Sequence, residues 1–140
     1  MSKNAETLIN ELFAAAKTAQ AAAYAPYSKF SVGAALATSD GRIFSGCNVE
    51  NAAYPQGACA ETGAISAMAL GGGRKIEAIL VIGDGAELCT PCGGCRQRIR
   101  EFAAALTPVY VAGAEGLRAH FTLSELLPHS FGPENLGGCS

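Results

Sequence analysis

The sequence has few charged residues, no basic cluster and no long apolar run, and these absences exclude several classes of protein. Only 16% of its 140 residues are charged, and the formal net charge is −2. Because nucleic acids are bound chiefly through clustered lysine and arginine, this balance argues against a nucleic-acid partner. No stretch approaches the roughly 20 apolar residues of a membrane-spanning helix. Polar residues interrupt positions 1–13, so we expect no signal peptide and a cytoplasmic protein.

The apolar content is high enough for a folded core. Apolar residues make up 49% of the chain, which is too many for a disordered protein. The length predicts one domain over residues 1–140, with residues 131–140 as a loose tail. The six cysteines are expected to be thiols, metal ligands or catalytic groups, because disulfides are rare in the cytoplasm.

Hydrophobic patterning predicts an α/β protein. Apolar residues at helical spacing or in short runs define the elements, which are helices over 4–25, 59–70 and 93–106, strands over 30–37, 42–48, 76–82 and 108–112, and a helical turn at 124–127. The first two strands flank Ser39-Asp40-Gly41, a turn typical of a β-hairpin. Strands that alternate with helices favour a mixed sheet covered by helices.

The most informative segment is Thr90-Pro91-Cys92-Gly93-Gly94-Cys95. Thr90 suits a helix N-cap and Pro91 the first helical position. Cys92 and Cys95 would then lie on one face of the first turn. The helix dipole favours anions there, so we expect both thiols to tend toward the thiolate, the form that binds zinc.

This cysteine pair alone leaves several functions open. It could be a redox dithiol, half of a structural zinc site or a pair without a function. An iron–sulfur cluster on Cys89, Cys92 and Cys95 would need a fourth nearby cysteine, which the surrounding sequence lacks. A thioredoxin-like motif would follow the first strand of its unit, whereas this pair occurs late in the chain.

Cys59-Ala60-Glu61 places a third cysteine at the start of another predicted helix. Taken alone, Cys59 is better explained as a small buried residue, and Glu61 as a carboxylate that stabilises a helix N-terminus. Two helix N-termini could nevertheless direct three thiolates at one zinc ion and leave its fourth position for water. Glu61 is close enough to Cys59 in sequence to exchange a proton with that water.

Together these segments form the three-cysteine version of the zinc deaminase signature, Cys-x-Glu followed by Pro-Cys-x-x-Cys. The chain resembles the cytidine deaminases of the small, homotetrameric class that acts on free nucleosides. The resemblance covers nearly the whole chain and includes three further segments, 25–36 (APYSKFSVGAAL), 46–54 (GCNVENAAY) and 125–128 (ELLP). The run Gly-Cys-Asn-Val-Glu-Asn is the part most specific to nucleoside enzymes.

The resemblance implies a three-layer α/β/α fold with a five-stranded mixed sheet. It also implies one zinc ion per subunit, held by Cys59, Cys92 and Cys95. The implied reaction is hydrolytic deamination of cytidine and 2′-deoxycytidine to the uridines and ammonia, a step of pyrimidine salvage. Glu61 would take a proton from water, deliver it to ring atom N3 and then protonate the departing amine.

The same resemblance assigns four contacts to the nucleoside. Asn48 and Glu50 would hold the ribose hydroxyls, and residues two apart at a strand end do face the same side. Phe30 would lie beside the pyrimidine ring, although a phenylalanine at that position would also suit the core. The backbone N–H of Ala60 would meet the carbonyl of the base.

Two aromatic residues are assigned to subunit contacts by the resemblance. Tyr54 would lie at a contact near the site. Phe131 would reach the active site of a neighbouring subunit, or else cover the fold as a residue of the tail. Both assignments presuppose a homotetramer.

One position departs from the pattern that the chain resembles. That pattern often reads Cys-Ala-Glu-Arg, where the arginine donates to the zinc thiolates, whereas this chain has Thr62 in that place. Thr62 could still donate one hydrogen bond from its hydroxyl group. We expect another donor near the sulfurs, and Arg96 is the candidate.

Two other classes of function remain open. A structural zinc module would need a fourth ligand, for which the candidates are His120, His129, Cys47, Cys89 and Cys139. A deaminase could instead act on nucleic acid or on a nucleoside-like antibiotic. The acidic balance argues against nucleic acid, and the Asn48/Glu50 pair favours a sugar only through the resemblance.

Overall fold

A five-stranded mixed sheet forms the centre of the protein, in a computed structural model that describes residues 4–137. Its strands are β1 (Val32–Thr38), β2 (Ile43–Cys47), β3 (Ile76–Gly83), β4 (Pro108–Gly113) and β5 (Gly116–Thr122). The spatial order is β2-β1-β3-β4-β5, with β3 and β4 parallel and the other neighbours antiparallel. The α/β class, the hairpin of β1 and β2 and the five-stranded mixed sheet are therefore confirmed.

Helices cover both faces of the sheet and give three layers. They are α1 (Ala5–Ala21), α2 (Ala60–Leu70), α3 (Gly93–Phe102) and α4 (Leu123–Leu126), with short 3-10 helices at Tyr54–Gln56 and Pro133–Leu136. Alternate residues of β3 face opposite sides. Leu80 and Ile82 pack with α1, whereas Ile79 and Val81 pack in the cluster that includes α2 and α3. Within residues 4–137, no helix is both long and apolar enough to cross a membrane.

The sequence patterns misplace several element ends and miss one strand. Helix α3 ends at Phe102 rather than 106, because Ala103 takes an extended conformation and turns its side chain into the core. The carbonyls of Ala105 and Thr107 then accept hydrogen bonds from the first N–H groups of α4. Strand β5 lies at the edge of the sheet and mixes polar with apolar residues, so its pattern is weak; only the resemblance implied a fifth strand.

A glycine in β2 allows α2 to lie very close to the sheet. A Cβ at Gly46 would overlap the backbone of α2, lying 2.6 Å from the carbonyl oxygen of Ala60. Real Cβ atoms do not approach backbone this closely, so only glycine permits this seating. The first turn of α2, which carries Cys59 and Glu61, is thereby pressed against the strand that leads to Asn48.

The segment predicted to be a loose tail is described as far as residue 137, and it lies against α3. Gln97 Nε2 donates to the Phe131 carbonyl at 2.9 Å. Arg100 binds Ser130 Oγ at 2.8 Å and forms an ion pair with Glu134 at 2.7 Å. Cys139, one of the candidate fourth ligands, falls outside the described residues.

Candidate active site

The N-termini of α2 and α3 bring three cysteine sulfurs together. Cys59 is the N-cap of α2, Cys92 is the N-cap of α3, and Cys95 lies in the first turn of α3. The sulfurs of Cys59 and Cys92 are 3.8 Å apart, and all three lie within 4.8 Å of one another. Helix α3 begins at Gly93, where its predicted range of 93–106 begins, but its N-cap is Cys92, so the assignment of the cap to Thr90 and of the first helical position to Pro91 is wrong.

The spacing of the sulfurs fits a tetrahedral zinc ion. Two thiolates bound at 2.3 Å in tetrahedral geometry lie about 3.8 Å apart, which is the separation of Cys59 and Cys92. Within the described part of the chain, the metal-compatible cluster contains these three cysteines alone. Four candidates for a fourth ligand lie outside it: Cys47, Cys89, His120 and His129. The geometry therefore matches an open, three-ligand site rather than a closed structural one.

Glu61 is a buried carboxylate beside the sulfur cluster. Its residue is only 4% exposed, in the first turn of α2. Burial raises the pKa of Glu61, while its own backbone N–H, Cys95 and the positive charge of Arg98 act in the opposite direction. A carboxylate with a raised pKa exchanges protons more readily near neutral pH, which is what a general acid–base group needs.

An open cavity of about 300 Å³ joins the sulfur cluster to the predicted substrate residues. Its lining includes Asn48, Glu50, Tyr54, Cys59, Ala60, Glu61 and Cys92. A second cavity of about 390 Å³ adjoins it and shares Glu50 and Tyr54. The structure thus collects residues from the segment after β2 and from two helix N-termini around one space.

Phe30 and Phe131 do not line the cavity that holds the sulfurs. Phe30 lies beside the site, where its backbone carbonyl accepts a hydrogen bond from Asn48 Nδ2 at 2.9 Å. Phe131 is 57% exposed and lies with Gln97 and Glu101 on the surface of α3. It is therefore remote from the cavity of its own chain.

The side chain of Asn48 is held in a single orientation by the backbone of the neighbouring segment. Its Oδ1 accepts from the N–H of Val32 at 2.9 Å, and its Nδ2 donates to the Phe30 carbonyl. One N–H and one oxygen lone pair of the amide are not used by these two bonds.

Glu50 is held by the turn that follows α1. Its Oε1 accepts from the N–H groups of Tyr27 and Ser28, at 3.0 and 3.1 Å, and its Oε2 accepts from the Ser28 hydroxyl. These bonds, the Ser28 hydroxyl first, lower the pKa of Glu50. Ser28 was missed in the sequence, although a hydroxyl and free N–H groups in a turn after proline are a recognisable carboxylate-binding pattern.

Comparison with known proteins places the chain in a family. Residues 6–111, most of the chain, match the model described as "Cytidine and deoxycytidylate deaminase zinc-binding region". The chain belongs to this deaminase family. The resemblance seen in the sequence is confirmed.

Individual members of the deaminase family are similar over almost their full length. A cytidine deaminase of Sporosarcina psychrophila is 43% identical over 128 residues, covering 91% of this chain and 94% of the relative. A crystal structure of cytidine deaminase from Burkholderia pseudomallei has a TM-score of 0.81 at 40% identity, covering 92% of this chain and 100% of that one. The structure of the Mycobacterium tuberculosis cytidine deaminase has a TM-score of 0.75 at 37% identity, covering 88% and 96%.

The three thiols of this deaminase differ in acidity. Burial alone would raise the pKa of Cys92, but hydrogen bonding with Cys95 and Cys59 outweighs it and lowers the pKa. Burial, followed by the negative charge of Glu61, raises the pKa of Cys95, and burial likewise raises that of Cys59. The direction of the pKa of Cys95 is therefore opposite to the expected tendency toward the thiolate.

One of the two donors expected near the sulfurs is present and the other is not. Thr62 Oγ1 lies 3.9 Å from the sulfur of Cys95, as expected. Arg96 donates to the carbonyls of Pro91 and Leu126, at 2.7 and 2.8 Å, and to Thr90 Oγ1 at 3.1 Å. The hypothesis that Arg96 supports a thiolate is therefore wrong. Arg98 instead places Nη1 3.9 Å from the sulfur of Cys95. Its spacing of three residues from Cys95 could have indicated this, because such residues share a helix face.

Proposed function

We propose that the protein catalyses the hydrolytic deamination of cytidine and 2′-deoxycytidine to uridine and 2′-deoxyuridine, with release of ammonia, in pyrimidine salvage. The single observation that carries the proposal is the buried Glu61 carboxylate beside a three-sulfur cluster at one end of an open cavity. Membership of the cytidine and deoxycytidylate deaminase family supports the reaction class.

Zinc is the cofactor that this donor set suits, and Cys59, Cys92 and Cys95 are its proposed ligands. Their sulfurs lie within 4.8 Å of one another and would supply three of the four ligands that zinc takes. When bound, zinc supplies a Lewis acid that lowers the pKa of a water molecule.

Glu61 is the proposed catalytic acid–base residue. Its carboxylate accepts a proton from water and delivers it to N3 of the cytosine ring, while the oxygen of that water bonds to C4. Glu61 then moves the remaining proton of that water from the hydroxyl on C4 to the exocyclic nitrogen. The C4–N bond breaks as the C4=O bond of the uridine forms, and ammonia leaves. Burial supports this role, because the raised pKa of Glu61 allows the carboxyl to hold a proton between the two transfers.

Asn48 and Glu50 are the proposed contacts to the sugar. Asn48 has one N–H and one lone pair to spare, so it can donate to and accept from ribose hydroxyls. Glu50 accepts three hydrogen bonds from residues 27 and 28, which leaves about one of its four lone-pair sites for a hydroxyl group. Both side chains are held in place before substrate arrives, which reduces the entropy lost on binding.

The base has two proposed contacts. The N–H of Ala60 lies in the first turn of α2, where N–H groups have no partner within the helix and are free to meet the carbonyl of the base. Phe30 lies beside the cavity, and its ring would complete the wall next to the pyrimidine once substrate is bound.

We propose a homotetramer in which neighbouring subunits complete each site. Tyr54 is 75% exposed although it lines the cavity, and Phe131 is exposed on α3. Exposed aromatic side chains are typical of surfaces that another protein covers. A cytoplasmic location is also proposed, supported by the free thiols of all five described cysteines.

The test uses purified protein with cytidine and a parallel measurement of bound metal. The expected result is loss of the cytidine absorbance, equimolar release of ammonia, and one zinc ion per subunit. Protein that carries one zinc ion per subunit and leaves both cytidine and 2′-deoxycytidine unchanged would overturn the proposal.

A further inference from the structure

The charge around the sulfur cluster needs a counterion. Zinc with three thiolates has a net charge of −1, and the carboxylate of Glu61 adds another negative charge. Cys95 is fully buried, so water does not solvate the charge on its sulfur. A buried charge without donors or a counterion is costly.

Two donors reach the sulfur of Cys95 from two different helices. Thr62 Oγ1, on α2, lies 3.9 Å from this sulfur, and Arg98 Nη1, on α3, lies at the same distance. Arg98 follows Cys95 by one helical turn, and its residue is exposed at the surface. The guanidinium group can therefore offset the charge of the sulfur while it remains hydrated on its outer side.

The neighbouring arginines of α3 are committed elsewhere. Arg96 binds carbonyl and hydroxyl oxygens in front of α3 and at the end of α4. Arg100 binds Ser130 and Glu134. Within residues 4–137, Arg98 is therefore the arginine whose side chain is hydrogen-bonded to a cysteine of the cluster.

We propose that Arg98, assisted by Thr62, is a positioning residue that holds Cys95 and offsets the negative charge of the zinc-loaded cluster. It takes the place of the arginine that stands at position 62 in the Cys-Ala-Glu-Arg pattern. The arginine donor of this chain lies on α3 rather than on α2, but it acts on the same group of sulfurs. The inference rests on the proposed function only for the identity of the metal.

The experiment measures zinc affinity by competition with a chromophoric chelator for the wild type, Arg98→Gln and Arg98→Gln combined with Thr62→Arg. We expect Arg98→Gln to weaken zinc binding by about 10- to 100-fold and the added Thr62→Arg to recover most of the loss. Cobalt substitution provides a second measurement, in which Arg98→Gln shifts the sulfur-to-cobalt charge-transfer band. A merely structural role of Arg98 would not move that band.

Arg74→Gln is the matched control, because it removes the same charge from an arginine that, within residues 4–137, is hydrogen-bonded to the carbonyls of Ala69 and Gly73 and to no cysteine of the cluster. Its zinc affinity should equal that of the wild type. An Arg98→Gln protein with wild-type zinc affinity and an unshifted cobalt band would overturn the inference. If Thr62→Arg does not recover the zinc affinity, then Arg98 does not take the place of an arginine at position 62.

A second pair of variants serves if Arg98→Gln does not fold. Arg98→Lys keeps the positive charge, whereas Arg98→Met keeps only the apolar stem. The lysine variant should therefore bind zinc more tightly than the methionine variant. Equal zinc affinities of the two variants would contradict the inference. Zinc binding that depends on Arg98 in a protein that leaves cytidine unchanged would overturn the proposed function but not this inference.

Discussion

The two ends of the cavity are built in different ways. At the sulfur end, backbone geometry places every group, because Cys59, Cys92 and Cys95 are at helix N-termini and Glu61 is buried beside them. At the sugar end, Asn48 and Glu50 come from the end of β2 and the loop after it, and hydrogen bonds from the chain before β1 hold them. Groups on helices are positioned more rigidly than groups on loops. The sulfur end therefore depends on backbone position, and the sugar end on hydrogen bonds that hold Asn48 and Glu50 before substrate arrives.

The largest expected effect comes from removing the acid–base group at the sulfur end. Glu61→Gln keeps the shape of the side chain but cannot accept or deliver a proton, so kcat should fall by about 10²- to 10⁴-fold. The zinc content should stay at one per subunit, because Glu61 is not a proposed ligand. Steady-state kinetics and metal analysis on the same sample check both statements. A variant that lost zinc would show that Glu61 supports the metal rather than the reaction.

A matched change at the sugar end should act on binding instead. Glu50→Gln replaces an ionised acceptor, whose hydrogen bonds are worth about 1.5–3 kcal/mol, so KM for cytidine should rise by roughly 10- to 100-fold. The value of kcat should change much less. Glu77→Gln is the control, since it removes the same charge from an exposed site on β3. A fall in kcat with KM unchanged would contradict the division between the two ends.

The seating of α2 can be disturbed from Gly46, a residue that does not itself line the cavity. Gly46→Ala forces a Cβ against the backbone of Ala60 and Ala64, so the protein should lose about 1–3 kcal/mol of unfolding free energy. Chemical denaturation measures the loss. Gly93→Ala is the control, because a Cβ at that position meets no atom within 4 Å. Equal stabilities of the two variants would show that α2 can move away from β2.

The smallest expected effect is a change in pH dependence at the sugar end. Hydrogen bonding, chiefly from the Ser28 hydroxyl, holds the pKa of Glu50 below its usual value of 4.5. The ionised form that accepts hydroxyl groups therefore persists as the pH falls, and KM should rise only below this lowered pKa. Ser28→Ala lets the pKa of Glu50 return toward 4.5, so the rise in KM should begin at a higher pH.

Measuring KM for cytidine across the acid range tests this shift. Ser45→Ala, at an exposed position of β2, is the control and should follow the wild-type curve. If the curves of wild type and Ser28→Ala coincide, Glu50 does not titrate in the step that binds the sugar.

Local sequence signals predicted where the two cysteine-bearing helices begin, but they did not predict which side chains contact the cysteines. Cys59 was placed within one residue of the start of α2, because an N-terminus depends on nearby residues. The choice of Arg96 over Arg98 was wrong, because the direction of each side chain depends on what packs around α3. Strand β5 was missed from the residues because an edge strand pairs on one side only and has no continuous apolar run.

The sequence by itself indicated the reaction class through its match to the zinc deaminase signature, in which three cysteines and one glutamate stand at fixed spacings. Tertiary structure alone decided that Cys59 meets Cys92, 33 residues further along the chain, and that Glu50 is held by residues 27 and 28. The physical reason is the separation along the chain of the residues that must meet. Spacing within a helix turn is set by local geometry, whereas contacts between distant segments depend on how β1, β2 and the two helices pack in the folded chain.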